Sequence, residues 1–301
     1  MANLTVNRVR IEYESAGDPK HPAIVLIMGL GMQLTGWPDS LVDALVAGGY
    51  RVVRFDNRDA GLSSRVRSRF AMGPVLAILA ARLHLPLRPA YRLEDMAKDT
   101  LALMDALGIP RAHVVGVSMG GMIAQVLATR APERVLSLTS IMSTTGNRRA
   151  SRPRPEALRA LMKRVPASAP RAEAIRQVVR VFTVIGSPGY PTEPAVLEAR
   201  VSAWVNRAYD PAATGRQLVA VMAAGDRRRE LRGLKVPTLV IHGADDPLIP
   251  VEAGRDTARV VPGATLKVID GMGHDLPDAL MPTIAEAIIA HCRKAEAPAP
   301  G

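Results

Sequence analysis

His113-Val114-Val115-Gly116-Val117-Ser118-Met119-Gly120-Gly121 is an apolar, β-branched run that closes on Gly-x-Ser-x-Gly. It passes at once into Met122-Ile123-Ala124-Gln125-Val126-Leu127-Ala128, which has a helical pattern. A strand that must reverse into a helix within one residue forces Ser118 into a strained backbone conformation. Glycines at 116 and 120 remove the side chains that would collide across such a turn. The reversal lifts the hydroxyl out of the sheet and sets it at a helix N-terminus, where partial positive charge favours a developing oxyanion. The competing reading is a glycine-rich strand–helix corner whose serine only caps the helix. Five-residue matches of this kind arise by chance, so the flanking elements and the presence of chemical partners decide between the two.

The flanking chain supplies the elements. Residues 4–15 alternate apolar and polar, which suits a hairpin or a pair of edge strands with one buried face. Ala23-Ile24-Val25-Leu26-Ile27-Met28 is apolar throughout, as a parallel strand covered on both faces would be. It runs into Gly29-Leu30-Gly31-Met32, then Trp37-Pro38-Asp39 and an amphipathic helix to Ala47, stopped by Gly48-Gly49. Arg51–Asp56 reads as the next strand, and strand, helix, strand with short joints is the βαβ pattern of an α/β fold. Residues 70–90, apolar but broken by Pro74, Pro86 and Pro89, read as a short helix lying over the site. Residues 93–107 have a helical apolar face, and Val135–Met142 reads as a strand after the nucleophile helix.

Residues 143–235 break this rhythm: prolines at 153, 155, 166, 170, 188, 191, 194 and 211 punctuate helical pieces such as 171–184 and 194–208. The segment reads as a helical cap inserted after the sixth strand. The alternation then resumes with a strand at 238–242, a helix at 251–260, a strand at 265–269 and a helix at 278–292. The expected organisation is a core of residues 1–143 and 236–294, an arginine-rich cap of 144–235 and a flexible tail of 295–301, the core carrying a mostly parallel eight-stranded sheet.

Composition bounds the function. The 301 residues are 48% hydrophobic and 22% charged, with a net charge of +11 and a single cysteine, Cys292. One cysteine excludes an intrachain disulfide and any cysteine-cluster metal site. No apolar run approaches the roughly 20 residues of a membrane helix, and the N-terminus lacks the pattern of a signal peptide. The expectation is therefore a cytoplasmic protein with no stable membrane association. Residues 146–235 hold 18 Lys and Arg against 7 Asp and Glu, while the rest of the chain holds 21 against 21. With aromatics at only 3%, nothing there resembles a stacking platform, and no nucleic-acid partner is expected. A solvated basic surface is the plain interpretation; a field that attracts anionic substrates or surfaces is the sharper one.

A serine hydroxyl is a weak nucleophile and needs a base that is itself oriented by a carboxylate. His242-Gly243-Ala244-Asp245-Asp246-Pro247 puts two aspartates directly after a strand, and Gly271-Met272-Gly273-His274-Asp275 puts a histidine directly after the last one. Residues just past the C-terminal ends of parallel strands gather along one edge of the sheet. Ser118, Asp245 or Asp246, and His274 are thus expected to converge. His21, His84, His113, His242 and His291 stand in strand, loop or helix contexts, and no two histidines have metal-ligand spacing. No metal or organic cofactor is expected.

The order Ser…Asp…His and four motifs identify the resemblance. Gly-Val-Ser-Met-Gly-Gly at 116–121, Asp-x-Arg-x-x-Gly-x-Ser at 56–63, His-Gly-x-x-Asp-x-x-x-Pro at 242–250 and Gly-x-Gly-His at 271–274 resemble the α/β-hydrolase superfamily over essentially the whole chain. The resemblance implies an α/β-hydrolase fold and a catalytic set of Ser118, Asp246 and His274, since the family's acid lies four residues before the proline. It implies an oxyanion hole from the N–H of Met119 and one from the loop after the strand 23–28, with Leu30 first by position and Gly29 and Gly31 as alternatives. Most relatives read His-Gly where this chain has Met28-Gly29, which removes a polar group that braces the loop. That change, with Gly36-Trp37-Pro38 and Asp56-Asn57-Arg58-Asp59, is most similar to the aclacinomycin methylesterase-like carboxylesterases. Gly29, Gly31, Trp37, Met142 and Trp204 are the candidates for pocket lining, packing being the competing role for Trp204 and the 185–190 loop.

The function expected is a carboxylesterase acting on small to medium esters through an acyl-enzyme on Ser118, with a small-molecule ester as its partner and a homodimer left open. C–C bond hydrolases, lactonases, thioesterases and cofactor-free perhydrolases share the same three residues. A non-catalytic ligand-binding member and an anionic-surface binder through the basic cap are the readings from other classes. Dehalogenases and epoxide hydrolases of this fold carry an aspartate where this chain has Ser118.

Overall fold

Asn7 and Arg8 both have positive φ, 48° and 62°, as a two-residue type I′ turn requires. They fold Ala2–Val6 (β1) back on Val9–Ala16 (β2) as an antiparallel hairpin with Val6 opposite Val9. The computed structural model describes residues 1–297 except 69, 164 and 167. β2 pairs antiparallel with Arg51–Phe55 (β4), which lies parallel to Ala23–Ile27 (β3). Beyond β3 come Ala112–Val117 (β5), Val135–Ile141 (β6), Thr238–Gly243 (β7) and Thr265–Ile269 (β8), all parallel. The sheet order is β1-β2-β4-β3-β5-β6-β7-β8. Every residue of β3, β5 and β7 is buried, which explains the unbroken apolar run of β3 and the mostly apolar β5 and β7.

Asp39–Ala47 (α1) and Met281–Glu296 (α11) cover one face of the sheet through Leu41, Leu45, Ile284 and Ile288. Leu93–Ala106 (α3), Met119–Arg130 (α4) and Val251–Val260 (α10) cover the other through Met96, Leu103, Ile123, Leu127 and Ala253. Pro74–Arg82 (α2) forms within the proline-broken segment. After β6 the chain leaves the sheet for Pro155–Met162 (α5), Arg171–Ile185 (α6), Pro194–Arg207 (α7) and Pro211–Ala223 (α8), then the short Arg228–Leu231 (α9). This helical insert has its own small core of Val165, Ala174, Val201 and Val205. Three of the prolines that break the sequence rhythm open helices: 155, 194 and 211 stand at the first position, where a missing N–H leaves no acceptor unsatisfied.

Two boundaries differ from the sequence expectation. The helix expected at 278–292 begins as a 3-10 turn over Asp278–Leu280 and continues as α11 to Glu296. Ala295 and Glu296 of the expected tail are thus helical, because the Glu296 carboxylate accepts a hydrogen bond from His113 Nε2 at the start of β5 (2.8 Å). Residues 298–301 of that tail lie outside the described residues. Among the described residues no helix is long and apolar enough to cross a membrane.

Candidate active site

Ser118 is the single residue between β5 and α4, with φ 55° and ψ −119°, a region that costs a non-glycine residue about 1–3 kcal/mol. Its neighbours explain how the turn closes. A Cβ on Gly116 would run into the carbonyl of Gly120, and one on Gly120 into the carbonyl of Ile27 on β3. The second glycine therefore allows α4 to approach the adjacent strand, and only the first relieves a clash across the turn.

Three segments meet at Ser118. His274 Nε2 lies 3.0 Å from Ser118 Oγ, and His274 Nδ1 lies 2.6 Å from Asp246 Oδ2. In the neutral imidazole this corresponds to Nδ1–H donating to the carboxylate and the serine O–H donating to Nε2. The other Asp246 oxygen accepts the N–H groups of Leu248 and Ile249, each at 2.8 Å. Asp246 is 2% exposed. Burial alone would raise its carboxyl, but the imidazoles of His274 and His242 outweigh that and hold it at about 2. Asp245 points elsewhere: its carboxylate accepts the N–H of Gly271 at 3.0 Å, bracing the loop that carries His274.

The loop after β3 wraps against the serine. Met32 N–H donates to Gly29 C=O (3.2 Å) around a turn with Gly31 at φ 69°, where a positive φ at the third position favours glycine. A Cβ on Gly29 would stand 3.2 Å from Ser118 Cβ, so the loop lies directly on Ser118. Among the described residues the N–H groups of Gly29, Leu30 and Met119 have no acceptor. The Gly31 N–H is already committed to Gln217 Oε1 at 2.7 Å, which removes Gly31 from the choice of oxyanion donors.

With methionine at 28, other groups brace this loop. Asn57 Nδ2 donates to Met28 C=O (3.0 Å), and Gln217 Nε2 donates to Arg58 C=O (2.8 Å). Gln217 is fully buried on α8 and so ties the insert to both the β3 and the β4 loops. The insert also holds the histidine loop from the opposite side. His274 N–H donates to Ile185 C=O (2.7 Å), Gly189 N–H to Gly271 C=O (2.9 Å), and Gly273 N–H to Ser187 Oγ (2.8 Å). Ser187 O–H in turn donates to Asp275. Burial raises the Asp275 carboxyl above its ordinary value, against the pull of that hydroxyl.

The pocket candidates separate. Gly29 abuts Ser118 and Gly31 abuts Thr214 of α8. Trp37 and Met142 are 1% and 2% exposed within the layer between the sheet and α1 and α11, so they pack in the core. Trp204 stacks at a tilt on Phe182, 5.3 Å between ring centroids, and its indole N–H donates to Thr35 C=O (3.3 Å). It anchors α7 to the loop before α1. Sequence reasoning reached Ser187 only as part of the 185–190 loop and missed Gln217 and Asp275; their partners lie 86, 186 and 88 residues away, and no local pattern marks such pairs.

The geometry accords with what other proteins show. A family model described as alpha/beta hydrolase fold matches residues 22–278. The chain is 32% identical to rhodomycin D methylesterase DnrP of Streptomyces peucetius, over 97% of this chain and 98% of that protein. It is 28% identical to 3-oxoadipate enol-lactonase 2 of Acinetobacter baylyi, over 89% of this chain and 87% of the relative. Among solved structures, the enol-lactonase from Burkholderia xenovorans LB400 superposes with a TM-score of 0.71 at 25% identity, covering 97% of this chain and all of its own.

Proposed function

This chain belongs to the α/β-hydrolase fold family, and from that premise we propose that it is a serine hydrolase cleaving carboxylic esters of small to medium size. Ser118 is the nucleophile, His274 the base and then the acid, and Asp246 the group that orients and stabilises the imidazolium. One observation carries this reading: an unbroken hydrogen-bonded line Asp246–His274–Ser118 ends where the loop at Gly29 abuts Ser118, and the N–H groups of Gly29, Leu30 and Met119 have no acceptor among the described residues.

As His274 Nε2 takes the hydroxyl proton, Ser118 Oγ bonds to the ester carbon and the carbonyl electrons move to oxygen, where the N–H groups of Leu30 and Met119 receive them. Collapse expels the alcohol, protonated by His274, and leaves an acyl-enzyme. Water, deprotonated by the same nitrogen, then releases the carboxylic acid and restores the serine. The relationship to a methylesterase at 32% identity favours an ester with a small alcohol. The relationship to an enol-lactonase keeps cyclic esters, opened by the same steps, as the second reading.

A panel of chromogenic esters of rising acyl length, with a lactone included, tests the reading on wild type and Ser118→Ala. Short to medium esters are expected to turn over, with kcat lower by about 10³-fold or more in the variant. Equal turnover by the variant would remove Ser118 as nucleophile.

A further inference from the structure

One surface away from the site reverses the usual rule that large apolar side chains face inward. α2 packs on α8, with the Pro74 ring against Gly215. The residues it buries are the small Ala77 and Ala80. Val75, Leu76, Leu79 and Leu83, at the three- and four-residue spacing of one helical face, point outward. With Phe70 and Leu85 beside them, these six side chains are 52–88% exposed. A helix selected only for packing would bury its leucines and expose its alanines. A contiguous apolar stripe of this kind marks an interaction surface.

The charge beside the stripe identifies the partner. From Ala60 to Leu93 the chain has six arginines and no Asp or Glu. The rest of the chain outside 146–235 has 15 basic residues against 21 acidic, so the positive charge is not confined to the insert. Arg67, Arg82, Arg88 and Arg92 are exposed, and among the described residues Arg67, Arg82 and Arg88 form no salt bridge. A two-fold contact between copies of this chain would oppose arginines with no carboxylate to pair them. An anionic bilayer satisfies both features at once, with hydrocarbon for the leucines and phosphate for the guanidinium groups.

We propose that α2 and its flanks, Phe70 and Leu85, form a reversible docking surface for an anionic lipid interface. This differs from the sequence expectation of no stable association, because the exposure of the leucines is a property of the fold and not of the hydropathy pattern. α8, on which α2 rests, also holds the oxyanion loop through Gln217, so docking sets the interface one helix from the site. Taken with the proposed hydrolase activity, on which this clause alone rests, the substrates are esters that partition into that interface.

Co-sedimentation with vesicles tests the proposal without any need for turnover. Wild type is expected to sediment with equimolar phosphatidylglycerol–phosphatidylcholine vesicles at low salt, to be released at high salt, and to bind pure phosphatidylcholine weakly. Leu76→Ser with Leu79→Ser is expected to cut the bound fraction about tenfold, as is Arg82→Glu with Arg88→Glu. Arg159→Ser with Arg180→Ser, on the insert, should leave binding unchanged. Exposed positions permit these changes with an unaltered melting temperature. No sedimentation of wild type at low salt would overturn the proposal. So would undiminished binding by the leucine variant, loss only with the insert variant, or a leucine-dependent dimer that ignores vesicles.

Discussion

Asp245 and Asp246 are adjacent, identical in chemistry and assigned to different work by the geometry of one turn. Asp246 takes two main-chain N–H groups on one oxygen and His274 on the other, while Asp245 holds Gly271. Asp246→Asn is expected to lower kcat about 10³- to 10⁴-fold, by presenting the wrong hydrogen-bonding group to Nδ1, and Asp245→Asn by less than about tenfold. Steady-state kinetics on one ester decides it, and the reverse ranking would exchange their roles. The carboxyls of Asp246 and Asp275 are shifted in opposite senses. The folded Asp246 lies at about 2, below its unfolded value, so it contributes stability above about pH 4 that is lost as pH falls toward 2. Asp275 is raised by burial, so its ionisation costs stability above its folded value and the cost disappears on acidification. Asp275→Asn, whose amide oxygen can still accept from Ser187, should therefore melt higher than wild type at neutral pH, with the gain shrinking as pH falls. A lower melting temperature at neutral pH would contradict this.

At the scale of elements, what was legible in the sequence was whatever is written locally. The turn at Ser118 needs Gly116 and the approach of α4 to β3 needs Gly120, each within two residues of the serine, and the aspartate and histidine each follow on a β-branched strand, so pattern alone reaches them. Prolines at 155, 194 and 211 read as breaks because a helix start and a helix interruption look alike until the helix is seen. The loop proposed to hold the oxyanion was legible only in part. Its position after β3 shows in the glycines, but Gln217 comes from α8, 186 residues away, and is a glutamine in an amphipathic helix like any other. Its effect is measurable. Gln217→Leu frees the Gly31 N–H and is expected to lower kcat about tenfold or more with KM changed less than about threefold, since oxyanion contacts strengthen only in the transition state. Gln217→Glu, which keeps an acceptor for Gly31, should recover part of the loss. A rise in KM with kcat intact would assign Gln217 to ground-state binding instead.

In the whole molecule two sets of contacts tie the insert to the loops around Ser118 and His274. On one side Arg207 reaches Asp56, Arg216 pairs with Asp59 through two hydrogen bonds, and Gln217 bridges Gly31 to Arg58. On the other, Ser187 and Ile185 hold the His274 loop. Asp56 and Asp59 have side chains with no exposed surface, and an unpaired buried charge is costly, so the insert sits in one defined position over the sheet edge. The sequence separates these partners by 86 to 186 residues, and only the closed fold brings them together. In the proposed function this convergence is what makes Ser118 a nucleophile. Brief exposure to a reactive phosphonate ester, followed by intact-mass and peptide mass analysis, tests it most directly. One adduct on the peptide carrying Ser118 is expected, absent in Ser118→Ala and formed about 10³-fold more slowly in His274→Ala. An adduct on another residue with Ser118 unmodified, or labelling at an equal rate in His274→Ala, would contradict it.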